Sequence, residues 1–281
     1  MASAYDLHTH STASDGTLSP GELVRRAAAR GIGALALTDH DTTDGLAEAQ
    51  AEAAAQGIVL MPGVELSVTW QGQTIHLVGL RIDPAAPALR DGLARLRRFR
   101  HWRAEEIARR LAKAGFAGVL EGARGYSNGE LLSRTHFARF LVARGVAADV
   151  RGVFKRYLVR GKPGHVPGEW ATLWEAVAWI RLAGGQAVLA HPARYEMTNS
   201  KRRRLLREFI EAGGVALEVI SGSHSRDDCF HMAQLAREFG LLASAGSDYH
   251  GPESPWIELG NLPPLPDGLI PIWRDWPKGL A

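Results

Sequence analysis

The fold is decided by the stretch Asp6-Leu7-His8-Thr9-His10, close to the start of the chain. Its His-x-His alternation predicts a strand over 6–10 that presents both imidazoles on one face, because strand side chains repeat every second residue. Imidazole is a common ligand of zinc, copper, iron and nickel. The stretch therefore indicates the first strand of a sheet that carries a metal site.

Outward from this strand, further metal-type ligands recur at or just beyond short apolar runs. Together they comprise imidazoles and carboxylates, and the single cysteine of the chain, Cys229, excludes a thiolate cluster. So many ligands exceed what one catalytic ion needs and suit two or three ions, with Glu65 able to bridge. Mixed nitrogen and oxygen ligands favour Mn²⁺, Fe²⁺ or Zn²⁺ over calcium. The candidate metal ligands are His8, His10, Asp15, His40, Glu65, His76, His191, Asp248 and His250.

Strands and helices alternate along the first 82 residues. Ser19 and Glu22 form a capping-box pattern for a helix that ends at Gly31, and an alanine-rich helix follows over 44–56. Strands are predicted at 34–38, 58–61 and 74–80. This alternation is typical of α/β barrels, in which functional groups gather at the carboxyl ends of parallel strands.

The alternation of strands and helices is interrupted between 83 and 167, where helices are predicted over 89–114 and 129–143 with few strand candidates. We interpret residues 83–167 as a helical insertion that shapes the substrate pocket, and residues 1–82 and 168–281 as the barrel with the metal site. The barrel pattern resumes with a second capping box at Thr172 and Glu175. The remaining predicted elements are helices at 172–183, 201–212 and 225–239, strands at 187–190, 215–220 and 241–245, and an irregular proline-rich tail.

Composition sets broad limits on the function. The chain has 281 residues, 46% of them hydrophobic, which is enough for a full core. Its net charge of +3 suits anionic substrates without demanding nucleic acid. No apolar run approaches the length of a membrane span, and no leader-like segment opens the sequence. We therefore expect a cytoplasmic protein with no membrane association and no obligate protein partner.

The motifs His8-Thr9-His10, Thr38-Asp39-His40, Gly63-Val64-Glu65, Ala190-His191-Pro192 and Ser247-Asp248-Tyr249-His250, together with His76, resemble the PHP (polymerase and histidinol phosphatase) superfamily. The helical stretch after His76 resembles the insertion of the subgroup that acts on 3′,5′-nucleoside bisphosphates, whose related members trim short RNA from its 5′ end. The resemblance implies a distorted (β/α)7 barrel with two or three metal ions, usually Mn²⁺, with Mg²⁺, Fe²⁺ or Zn²⁺ as alternatives. It implies a phosphatase that converts nucleoside 3′,5′-bisphosphates to 5′-monophosphates, with trimming of short 5′-phosphorylated oligonucleotides as a second activity.

The resemblance also implies how the ligands divide among the ions. His8, His10, Glu65 and Asp248 would hold the first ion. Glu65 would bridge to the second ion, which His76 and His191 complete. The third ion would be held by Asp15, His40 and His250. The residues expected to act directly in catalysis are Asp15, His40, Glu65, Asp248 and His250.

Binding of a phosphate substrate also requires positively charged side chains. The guanidinium of arginine is planar and permanently charged, and it can donate two hydrogen bonds to one phosphate. Arg134 is the first choice to hold the second phosphate, with Ser133, Thr135 and His136 beside it in the insertion. Arg194, just after His191-Pro192, and Arg103 complete the predicted substrate-binding set.

Three alternatives stay open at this stage. A histidinol-phosphatase-like enzyme would share the metal ligands, but its small substrate has no second anion to bind. An amidohydrolase-like C–N hydrolase would also place His-x-His on its first strand. A non-catalytic PHP module of a polymerase would require eroded ligands or a partner domain.

Overall fold

The structure, a computed structural model, describes residues 4–127 and 131–276. Seven strands form one sheet in the order β1-β2-β3-β4-β5-β6-β7: β1 (Ala4–Asp6), β2 (Ile32–Leu37), β3 (Val59–Trp70), β4 (Gln73–Leu80), β5 (Gln186–Leu189), β6 (Ala216–Ser221) and β7 (Leu242–Gly246). The sheet curls until its edges meet, where the Leu7 amide donates to the Ala245 carbonyl at 3.0 Å. The predicted barrel is confirmed.

The helices lie outside the sheet or in the insertion. They are α1 (Pro20–Ala29), α2 (Leu46–Gln56), α3 (Pro87–Lys113), α4 (Val119–Arg124), α5 (Arg134–Ala143), α6 (Val150–Val153), α7 (Leu173–Leu182), α8 (Asn199–Ala212) and α9 (Arg226–Phe239). Both predicted capping boxes form, at Ser19 and at Thr172. The helix predicted over 129–143 begins at Arg134 because Ser133 caps it, and Gly129 lies outside the described residues.

The strands differ from the sequence pattern in two respects. The first strand, β1, ends at Asp6 rather than His10. Beyond it the chain still runs along the segment after β7: the Asp248 amide donates to the His8 carbonyl at 2.8 Å, and the His10 amide donates to the Tyr249 carbonyl at 2.9 Å. Strand β4 pairs antiparallel with both β3 and β5, and so differs from the parallel strands typical of α/β barrels. A tight hairpin at residues 71 and 72 joins β3 to β4, and a two-residue connection can only produce antiparallel strands.

Side chains on the inner and outer faces of the barrel form separate apolar clusters. Outward-facing side chains such as Leu35 pack against the helices, while small inward-facing side chains such as Ala36 fill the barrel with Ile272 and Trp276 from the tail. This alternation follows from the two-residue period of a strand. The tail thereby closes the end of the barrel opposite the carboxyl ends of most strands.

The insertion has an apolar cluster of its own. Helix α3 joins the two parts: Leu93 and Leu96 pack with the barrel helices, whereas Ile107 and Leu111 pack with α4, α5 and their neighbours. This second cluster supports the proposed division of the chain, although α3 itself spans both parts. In the part of the chain that the structure describes, no helix combines the length and the hydrophobicity that crossing a membrane requires.

Candidate metal centre and anion pocket

The structure brings the nine predicted metal ligands together at one end of the barrel. The donor atoms of eight of them form three overlapping groups, and within each group the atoms lie within 4.8 Å of one another. The group that contains Glu65 and Asp248 matches the set expected for the first ion. The group that contains Asp15 and His250 holds the set expected for the third ion, with His10 in addition. The groups are His8, His10, Glu65 and Asp248; His10, Asp15, His40 and His250; and His40, Glu65 and His76.

Glu65 lies at the centre of this cluster. It is fully buried on β3, and ring nitrogens from five histidines approach its two carboxylate oxygens at 2.8 to 3.4 Å. One carboxylate shared among so many imidazoles has the position expected of a bridging ligand. The five histidines are His8, His10, His40, His76 and His191, of which His191 lies outside the three groups but within 2.9 Å of Glu65.

The loops that carry the ligands are held by buried polar contacts. Asp39 accepts hydrogen bonds from the Ser11 amide and hydroxyl and from the Ser14 hydroxyl, at 2.6 to 2.8 Å, and so shapes the turn before Asp15. His191 and Asp248 have left-handed backbones, with φ of 29° and 56°. Such conformations are costly for residues other than glycine and persist where the surrounding structure holds them.

Charge pairing within the cluster shifts the pKa of its members. Burial disfavours the imidazolium of His10, but the neighbouring Asp248 and Glu65 carboxylates outweigh burial and raise its pKa to about 10. Burial also opposes the charge of Asp15, yet His250 and His40 hold its pKa well below the ordinary range. At His191 burial dominates and lowers the pKa to about 4. The carboxylates are therefore ionised and ready to bind cations.

The donor set fits divalent metal ions. Several buried atoms of the cluster have no hydrogen-bond partner among the described residues: His8 Nε2, both ring nitrogens of His10, Asp15 Oδ1, His40 Nδ1 and Glu65 Oε2. Buried polar atoms without partners are costly, and coordination to an ion would offset that cost. Nitrogen and oxygen donors without thiolates suit Mn, Fe or Zn.

Above the cluster lies a cavity of about 160 Å³ whose walls come from both the barrel and the insertion. Asp15, His40 and Asp248 line its floor, and Arg103 and Arg134 line its wall. The guanidinium of Arg103 lies 5.2 Å from the centre of the Trp170 ring, and that of Arg134 lies 5.3 Å from the centre of Phe154. The cavity thus joins the candidate metal ligands to two arginines that rest on aromatic rings.

Neither of these two arginines forms a salt bridge within the described residues. Arg103 is 8% exposed and donates to the Val166 carbonyl, and no carboxylate of the described residues pairs with either guanidinium. Burial first, and then the nearby Arg134 and Arg100, lower the pKa of Arg103 to about 9. A buried cation such as Arg103 is costly to desolvate, and the half-buried Arg134 adds a second positive charge nearby. Their position indicates a binding site for an anion.

The other predicted substrate contacts differ in their surroundings. Ser133 and Thr135 line the cavity, and the Ser133 hydroxyl also accepts the Thr135 amide as the cap of α5. Arg194 lines the cavity with its side chain half exposed and donates to Asp248 at 2.7 Å. His136 does not line the cavity: it is 1% exposed, and its Nδ1 accepts the Ser133 amide at 3.1 Å. The structure therefore gives His136 a supporting position behind the pocket.

Sequence reasoning missed two buried charges next to the cluster. Glu218 on β6 contacts His8 and the backbone of His191, and Arg100 on α3 pairs with Asp41. A signal existed for Glu218, because an acidic residue inside the apolar run 216–221 is rarely buried unless it is paired.

Comparison with known sequences gives consistent matches. The sequence profile of the PHP domain family matches residues 6–188. A 3′,5′-nucleoside bisphosphate phosphatase of Chromobacterium violaceum is 52% identical over 271 residues, covering 96% of this chain and 95% of the relative. The 5′-3′ exoribonuclease Rnm of Salmonella typhimurium is 47% identical over 274 residues, covering 97% and 93% of the two chains.

Solved structures match just as extensively. A Chromobacterium violaceum structure, described as an amidohydrolase with bound sulfate and no metal, superposes with a TM-score of 0.93 at 50% identity, covering 97% of this chain and 95% of the other. A Bifidobacterium adolescentis structure assigned as a metal-dependent phosphoesterase superposes with a TM-score of 0.84 at 28% identity, covering 93% and 92%. The similarity includes the barrel and the insertion together.

Proposed function

The chain belongs to the PHP domain family, and we propose that it is a metal-dependent phosphatase that removes the 3′-phosphate from nucleoside 3′,5′-bisphosphates to leave 5′-monophosphates. One observation carries this proposal: Arg103 and Arg134, which form no salt bridge with a described residue, share a cavity with the candidate metal ligands. A substrate with two phosphates can place one on the metal cluster and the other on the arginines. The named activity of the Chromobacterium relative at 52% identity supports the same assignment.

The metal ions would be held by the nine ligands named above, and we propose Mn²⁺ as the physiological ion. Bound divalent ions neutralise phosphate charge and lower the pKa of bound water. The protein orients the substrate around them. Arg134 and Arg103 hold the second phosphate, with Ser133 and Thr135 as hydrogen-bond donors at the same wall, and Arg194 reaches the cavity from the barrel side.

The arginines also discriminate among the alternatives. Histidinol phosphate has one phosphate, and a neutral amide has none, so neither would compensate the charge of Arg103 and Arg134. The amidohydrolase description of the Chromobacterium structure keeps C–N hydrolysis as an activity to be tested. The sulfate in that structure is itself a tetrahedral dianion, as phosphate esters are.

Trimming of short 5′-phosphorylated RNA is a second candidate activity, favoured by the exoribonuclease name of the Salmonella relative at 47% identity. In this case the arginines would bind the terminal 5′-phosphate while the metal cluster acts on the next phosphodiester. The same two anion sites serve both activities. We also propose a cytoplasmic location and no obligate protein partner, on the sequence grounds given above.

The test is phosphate release from adenosine 3′,5′-bisphosphate in the presence of Mn²⁺, with histidinol phosphate, a 5′-phosphorylated RNA trimer and an amide substrate in parallel. We expect 5′-AMP and phosphate from the bisphosphate. Arg134→Ala should raise KM for the bisphosphate about 10- to 100-fold, since a charge-assisted contact contributes about 1.5–3 kcal/mol. The same substitution should have little effect on the turnover of a simple phosphate monoester.

Arg160→Ala is the matched control, because Arg160 is exposed in the same insertion and does not line the cavity. Equal losses on bisphosphate and monoester in Arg134→Ala would contradict the second-phosphate site. Turnover of histidinol phosphate or of the amide, with none of the bisphosphate, would overturn the proposed substrate.

A further inference from the structure

The buried carboxylate of Glu218 joins two of the candidate ligand segments from beneath the metal cluster. It lies on β6 and is 2% exposed. Its Oε1 lies 2.9 Å from His8 Nδ1, and its Oε2 accepts the His191 amide at 2.5 Å. Glu218 belongs to none of the three ligand groups. We propose that Glu218 is a positioning residue that sets the orientation of His8 and the backbone of His191 for metal binding.

The contact with His8 decides which ring nitrogen faces the cluster. A carboxylate oxygen accepts hydrogen bonds, so Nδ1 of His8 is the nitrogen that donates to Glu218, and Nε2 is the nitrogen left to bind an ion. That Nε2 lies 3.4 Å from Glu65 and 3.6 Å from Asp248, within the first ligand group. An acceptor on the second nitrogen fixes both the tautomer and the ring orientation of a ligating histidine.

The contact with His191 holds a backbone that is otherwise costly. His191 has φ of 29°, a left-handed value unfavourable for a side chain with a Cβ atom. The hydrogen bond from its amide to Glu218 fixes the peptide immediately before this residue. The imidazole of His191 then reaches Glu65 at 2.9 Å. Glu218 thus offsets backbone strain in a segment that presents a candidate ligand.

The surrounding strands leave room for these contacts. The register of β6 against β7 shifts between Glu218 and Ile220, and such bulges redirect side chains near functional sites. Gly246 on β7 lies so close that a Cβ atom there would be 2.3 Å from the His8 Cβ and 2.9 Å from Glu218 Oε1. A glycine at this position allows the imidazole and the carboxylate to approach each other.

The test is Mn²⁺ affinity of the full chain, measured by chelator competition without nucleotide. Glu218→Gln keeps the size of the side chain but replaces one acceptor oxygen by a donor. We expect it to bind Mn²⁺ about 10- to 100-fold more weakly, the usual effect of losing the partner of a ligating histidine. Glu208→Gln is the matched control, because Glu208 accepts the Trp70 indole N–H at 2.6 Å and belongs to none of the ligand groups.

A second measurement does not depend on how the variant folds. In the wild-type protein loaded with Zn²⁺, a ¹⁵N-histidine spectrum should show His8 protonated at Nδ1 and coordinated through Nε2. Metal coordination through Nδ1 would overturn the proposal, as would wild-type Mn²⁺ affinity in folded Glu218→Gln or an equal loss in Glu208→Gln.

The inference rests on the metal site of the proposed function, but the two fail separately. Wild-type protein that binds Mn²⁺ yet leaves the bisphosphate intact would refute the substrate and leave the role of Glu218 standing. At saturating Mn²⁺, Glu218→Gln should lower kcat and keep KM for the bisphosphate within about twofold of wild type, since Glu218 does not line the cavity.

Discussion

Replacing Arg100 by methionine should destabilise the protein strongly, because it leaves a buried carboxylate without its counterion. Arg100 Nε donates to Asp41 Oδ2 at 2.6 Å, and Arg100 Nη2 donates to the Ser67 hydroxyl at 3.0 Å. The side chains of the pair are 8% and 0% exposed. The contact ties α3 of the insertion to the loop that follows His40, so its loss affects both parts of the molecule.

The magnitude follows from burial. Removing one partner of a buried ion pair costs about 3–5 kcal/mol, whereas an exposed pair contributes about 0–1 kcal/mol. For a chain of this size, a loss of 3–5 kcal/mol corresponds to a fall in Tm of roughly 6–20 °C. Arg97→Met is the matched control on the same helix, because Arg97 pairs with Asp44 at 3.1 Å with side chains 35% and 69% exposed.

The assay is denaturant unfolding of the two single variants, of Asp41→Asn and of the double variant Arg100→Met/Asp41→Asn. The double variant should recover most of the loss, because asparagine tolerates the left-handed backbone at Asp41, where φ is 54°. Its amide oxygen can still accept the Ser67 amide, as Asp41 Oδ1 does at 2.7 Å. A loss in Arg100→Met no larger than in Arg97→Met, or simple additivity in the double variant, would refute the reasoning.

Three further perturbations test other parts of the structure. Burial lowers the pKa of His136 to about 4 from its ordinary value of 6.5, so its contribution to stability is present above pH 6.5 and is lost as the pH falls toward 4. The loss amounts to at most about 3 kcal/mol, and the unfolding free energy of wild type should therefore depend more steeply on pH in this window than that of His136→Gln. Gly246→Ala places a Cβ atom 2.3 Å from the His8 Cβ, and it should cost about 1–3 kcal/mol in urea unfolding and weaken Mn²⁺ binding. If Gly246→Ala keeps wild-type stability and wild-type Mn²⁺ affinity, the backbone around position 246 shifts to accommodate the added Cβ atom, and the expected effect is refuted. Removal of metal by a chelator should lower Tm, since an ion present at 100 times its Kd stabilises the folded state by about 2.7 kcal/mol, and calorimetry before and after chelation measures the difference. An unchanged Tm would count against the metal centre.

The candidate site could be predicted from sequence as far as its ligand types allowed. His8, His10, Glu65 and Asp248 were recognisable because each stands in or just beyond an apolar strand, and strand ends meet at one edge of a barrel. Arg103 and Arg134 were chosen for their chemistry alone. Only the tertiary structure shows that both arginines share one cavity and that neither has a carboxylate partner among the described residues.

The sequence by itself determined the elements whose signals are local. The caps at Ser19 and Thr172, the helix ends at glycines and the alternation of strands with helices depend on residues a few positions apart, and the structure reproduces them. Tertiary structure alone decided the buried pair of Arg100 with Asp41 and the contact of Glu218 with His8. The physical reason is distance along the chain: Glu218 and His8 are 210 positions apart. Hydrophobic periodicity and capping patterns predict contacts between residues that are close in sequence. Contacts between residues this far apart in sequence form only when the barrel closes.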